Sequence, residues 1–121
     1  MSTVEDAGVV DGGGLRPGDG RLVLRIYDPL AWDDHEAHFE TLRRKLETYA
    51  DFVTSGQARE HFPGASDGRP VISIVFAHEP PASAVDLLGH VALRLAAGEI
   101  ALEFTVRDAS GRDVVRSFDG T

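Results

Sequence analysis

Asp34, His35 and His38 are the residues whose types and spacing come nearest to chemistry. His35 and His38 stand three apart, and Asp34 and His38 four apart, so on a helix all three reach one side of a single turn. Imidazole and carboxylate together suit zinc or iron. Two points count against a metal. The pattern is not H-E-x-x-H, and no further ligand stands nearby in sequence. A helix that begins here also turns its positive end towards the group, which disfavours a dication. The plainer reading is a set of solvated polar residues in a first helical turn. His78 and Glu79 form a second candidate pair. They follow an apolar strand-like run, and open α/β sheets bind ligands beyond the carboxyl ends of their strands. A general acid–base role there requires a cleft and a partner. A hydrogen-bonded or solvent-facing imidazole is the plainer reading for His78, as for the isolated His61 and His90.

Other chemistries find less support. The chain has no cysteine, which excludes disulfides, thiol catalysis and Cys-based zinc sites. No G-x-S-x-G elbow is present, and Ser73 lies inside a strand pattern rather than on a sharp turn. Residues 12–20, G-G-G-L-R-P-G-D-G, suggest a phosphate loop, but a strand pattern follows where a helix is required. A hairpin connection is the better reading. No cofactor is expected. The net charge is −8. The only dense basic cluster, Arg43-Arg44-Lys45, is flanked by Glu40 and Glu47, so neither nucleic acid nor an anionic membrane is the expected partner.

These residues need elements to hold them. Asp28 to Pro63 carries the longest periodic segment. Phe39, Leu42, Leu46, Tyr49 and Val53 recur at spacings of 3, 4, 3 and 4, the stripe of a helix packed on a core. The helix begins at Asp33 or Asp34, with Asp33 and Glu36 placed as a capping box and Trp32 just ahead of it. Gly56 ends it, and Gln57 to Phe62 adds one further turn. Val9-Val10 suggests a short strand. In 21–27, Leu22, Leu24 and Ile26 share one face, and Val23, Arg25 and Tyr27 the other. Val71 to Ala77 is nearly continuous apolar sequence, as in a central buried strand. A second helix starts at Ser83, carries Val85, Leu88, Ala92 and Leu95, and ends at Gly98. Ile100, Leu102, Phe104 and Val106 alternate with Ala101, Glu103, Thr105 and Arg107. Residues 108–112 read as a hairpin turn, and Asp113 to Phe118 as a short last strand.

The order β-β-α-β-α-β(-β) predicts a two-layer α/β (α+β) sandwich, with two helices on one face of a mixed sheet of four to five strands. A single domain over residues 9–118 is expected, with loose ends at 1–8 and 119–121. With 42% apolar and 26% charged residues the composition is that of a globular domain. No signal peptide or 18-residue apolar run is present, so a cytoplasmic location is expected.

A strand running into Pro29, Trp32 and Asp33 is followed by a helix carrying Leu42, Lys45, Leu46 and Tyr49. Gly56, Phe62-Pro63, Gly68, Pro70-Val71 and Pro80-Pro81 come next. Over about residues 9–107 this resembles a family of small bacterial proteins known only as a domain of unknown function. The Gly-rich 12–20 stretch departs from that family's shorter Asp-Pro turn. The resemblance implies an α/β domain and no particular activity. Lys45 is the only lysine among 12 basic residues. It adjoins the apolar stripe, from which its ammonium is expected to snorkel outward.

The expected function is therefore contact with protein, either a second copy or a regulatory or immunity-type partner. An acidic chain suits a basic one. The candidate contact residues are Trp32, Arg43, Arg44 and Lys45 on the helix, and Val23, Arg25, Tyr27, Thr105 and Arg107 on the outer sheet face. The alternative is a ligand- or metal-binding enzyme using His78/Glu79 or Asp34/His35/His38.

Overall fold

The computed structural model describes residues 13–65, 68–107 and 113–117. Strand β1 (Gly13–Leu15) and strand β2 (Leu22–Asp28) form a hairpin, followed by helix α1 (His35–Thr54) and a short helix α2 (Gln57–His61). Strand β3 (Val71–Phe76), helix α3 (Ala82–Ala97), strand β4 (Ala101–Arg107) and strand β5 (Asp113–Ser117) complete the chain. The five strands lie in sequence order. The central β2, β3 and β4 are parallel, and β1 and β5 pair antiparallel on the two edges. The mixed sheet under helices is as expected from the sequence. Among the described residues the helices number three rather than two. Gly56 at φ 89° redirects the chain after α1, in a conformation open chiefly to glycine. The extra turn at 57–61 then becomes a helix that buries Ala58.

The Gly-rich stretch also differs from its expected form, because β1 lies inside it. A Cβ on Gly13 would come within 2.8 Å of both Leu24 Cδ2 and the Val23 carbonyl oxygen, so glycine lets this strand approach β2 closely. Pro17, Gly18 and Gly20 then close the turn, with Gly18 and Gly20 at positive φ. The Arg16 N–H donates to the Arg21 carbonyl oxygen at 2.8 Å across it. The expected strand at Val9-Val10 and turn at 108–112 lie outside the described residues, as do both chain ends.

One sheet face carries the core. Leu22, Leu24 and Ile26 align in register with Ile72 and Ile74 of β3 and with Leu102 and Phe104 of β4. Leu42, Leu46 and Tyr49 of α1 and Leu88, Ala92 and Leu95 of α3 pack onto them. Each such side chain removed from water contributes roughly 1.5–3 kcal/mol before entropy is counted. Two start signals shift. Asp34, not Asp33, caps α1, its carboxylate accepting from the Ala37 N–H at 3.1 Å. Helix α3 begins at Ala82 after Pro81, without a side-chain cap. Lys45 does not snorkel: it is fully buried, its ammonium 5.7 Å from the centre of the Tyr49 ring. Among the described residues no helix is long and apolar enough to cross a membrane.

Candidate functional site

The carboxyl ends of β2 and β3 gather the histidines singled out in the sequence, but not as a metal centre. Asp34 is committed to the helix cap. His35 is exposed and meets Trp32 edge-on at 6.3 Å. His38 turns the other way, into the interior. Its partner is Asp28, the last residue of β2, which the strand's alternation directs inward beside Leu22, Leu24 and Ile26. His38 Nε2 lies 2.6 Å from Asp28 Oδ2, and both side chains are almost wholly buried. His38 Nδ1 is 3.2 Å from the Ala31 carbonyl oxygen. A carbonyl only accepts, so Nδ1 carries a proton and donates it. Both ring nitrogens are thus engaged. Asp28 is engaged too, its other oxygen accepting from the Leu30 N–H at 3.1 Å. Burial raises the Asp28 pKa above the ordinary carboxylate value, opposed by the hydrogen bond from His38.

Trp32 closes this edge. Its indole stacks on the His38 ring with centroids 3.6 Å apart, and its Nε1–H donates to the His78 carbonyl oxygen at 3.3 Å. Trp32 therefore ties the two candidate groups together, but through a backbone atom rather than the His78 imidazole. His78 and Glu79 stand exposed beside it. Among the described residues no three His, Cys, Asp or Glu side chains converge to hold a metal ion. The edge is a saturated polar joint between β2 and α1.

The second sheet face is different. No helix lies over it among the described residues. Val23, Val71 and Ala101, in register, form a small buried row. The β1–β2 hairpin tip reaches over this end, where Arg16 spans to Glu103 of β4 at 3.1 Å and lies 3.9 Å from Asp19. The next row is Arg25, Ser73 and Glu103, and the one beyond is Tyr27, Val75 and Thr105. Between hairpin tip and sheet these rows border an open hollow of about 470 Å³. Ser73 and Thr105 are only 7% and 8% exposed, yet neither hydroxyl has a partner among the described residues. No fully enclosed side-chain polar atom among the described residues lacks a partner. The two hydroxyls therefore open into the hollow. The Arg25 guanidinium is exposed and has no ion-pair partner among the described residues. Its backbone carbonyl is held from the helix layer by the Tyr49 hydroxyl.

The contact residues expected from sequence separate accordingly. Lys45, Val23 and Thr105 are buried and Trp32 is half-buried. Arg43 and Arg44 are occupied on the surface of α1 by Glu40 and Glu47. Arg25, Tyr27 and Arg107 present exposed side chains on the outer face. Ser73 was the residue missed. Its strand parity, matching that of Val71 and Val75, is the signal that places it on this face.

A family model described as Family of unknown function (DUF6572) matches residues 1–108, and the chain belongs to that family. No curated protein and no solved structure matches it.

Proposed function

We propose that this domain works by contact with protein through the open face of its sheet, in the first instance with a second copy of itself. The observation that carries the reading is a parallel three-strand centre whose helices, among the described residues, lie on one face only. Parallel sheets are ordinarily covered on both faces. On the uncovered face Tyr27 is 41% exposed and Val75 half-buried, and both adjoin Arg25, in a patch of the kind enriched at contact surfaces. Two-fold pairing would set this patch against its own copy, with Arg25 and Glu103 supplying opposite charges on each side. Sedimentation velocity over a range of concentrations tests it. A dimer is expected for the natural chain and a monomer for Tyr27→Glu with unchanged circular dichroism. A natural chain that stays monomeric at every concentration would falsify self-association.

A further inference from the structure

We infer that the hollow on the open face is a binding site for a small monocarboxylate with a short apolar body. The contact reading does not require this, and the site needs no second copy. It rests on three groups whose hydrogen-bonding capacity the described residues leave unused. Two are the hydroxyls of Ser73 and Thr105, residues more than nine-tenths buried and without a side-chain partner among the described residues. A hydroxyl that opens into a hollow takes a water or a ligand as its partner. The third is the guanidinium of Arg25, whose residue is the register partner of Ser73 on the neighbouring strand.

Charge selects the ligand. The hollow is lined by Arg16, Arg25 and Glu103. Arg16 is spent on Glu103, so one positive charge remains, on a chain whose net charge is −8. A single guanidinium fork matches a single carboxylate bidentately. Glu103, in the same row, opposes a doubly charged phosphate or dicarboxylate. Hydroxyls from Ser73 and Thr105 can donate to the remaining lone pairs. Val23 and Val75 provide apolar wall beside them, and about 470 Å³ falls in the range of small-molecule sites.

The test is a titration of the isotopically labelled full chain, followed through its backbone amide resonances. Sodium acetate, butyrate, succinate and phosphate are added separately, with sodium chloride at matched ionic strength as the control. Butyrate is expected to move the amides of Arg25, Ser73 and Thr105 saturably, more tightly than acetate, while succinate and phosphate produce no saturable change. Arg25→Gln is expected to weaken butyrate binding by about tenfold or more, the worth of a hydrogen bond to a charged group, and Ser73→Ala by less. Amide dispersion confirms that each variant is folded. The inference is overturned if butyrate gives no saturable response, if phosphate binds as well as butyrate, or if Arg25→Gln binds unchanged. Sedimentation of the same samples reports self-association separately, so failure of one reading leaves the other standing or falling on its own result.

Discussion

Asp28 with His38, and Ser73 with Thr105, are both sets of polar residues buried on the sheet, on opposite faces. At the carboxyl edge each carboxylate oxygen and each ring nitrogen has a partner: Asp28 with His38 and Leu30, His38 with Asp28 and Ala31. On the outer face the hydroxyls of Ser73 and Thr105 and the guanidinium of Arg25 have none among the described residues. The difference separates two uses of buried polarity. A closed network fixes how α1 sits on β2 and leaves nothing for a substrate. An open one keeps its capacity for something from outside. Histidine and aspartate are the more reactive residue types, yet here they are the structural ones.

The largest effect expected from breaking this contrast is at His38. His38→Ala leaves a buried carboxylate without its main partner and unstacks Trp32. Its cost is expected to be about 3–5 kcal/mol, as for other severed buried pairs, read as a fall in the urea midpoint. A loss below about 1 kcal/mol, the scale of an ordinary surface ion pair, would show that the edge is not a joint.

The middle effect is on pH dependence. Because the folded-state pKa of Asp28 is raised, the folded chain holds that proton to higher pH than the unfolded chain. Its stabilising contribution is full below the ordinary carboxylate pKa and is lost as pH rises through the raised folded value. Asp28→Asn cannot titrate, so urea midpoints across this window should lose that downward component. An unchanged slope would place the ionisation elsewhere.

The smallest effect sharpens the other side of the comparison. Thr105→Val removes a hydroxyl with no partner among the described residues, and Arg25→Gln a charge with none among them. Each is expected to alter stability by no more than about 0.5 kcal/mol, measured by the same unfolding curves. A cost near that of His38→Ala would mean that the outer face is structural as well.

Much of the fold was legible because alternation is a local property. Leu22, Leu24 and Ile26 announce a buried face in seven residues, and Ile72 to Phe76 announce a strand covered on most sides. The same parity, extended two residues, places Asp28 in the core. The helical stripe likewise includes His38 and Lys45 along with Leu42, Leu46 and Tyr49. His38 was grouped instead with Asp34 and His35, because adjacency in one turn is visible in sequence and a partner ten residues upstream is not. The hollow was less legible still. The pairing of Arg25 with Ser73 and of Ser73 with Glu103 is set by tertiary packing through two crossovers. Net charge does not report local charge either: the chain carries −8 overall, while Arg16, Arg25 and Glu103 give the lining of the hollow a positive balance. The short helix at 57–61 and strand at 13–15 depend on glycines whose conformations the sequence permits but does not announce.

The bridge from Arg16 to Glu103 joins residues 87 apart in the chain. Contacts of such sequence separation carry the largest loop-closure entropy and form late in folding. One wall of the hollow comes from the first hairpin and the opposite wall from the fourth strand, which the chain supplies only after both crossovers are made. A molecule with its helices already docked on β2 and β3 would still lack the finished hollow. Any ligand held there would bind the completed fold alone and would stabilise it against unfolding by mass action.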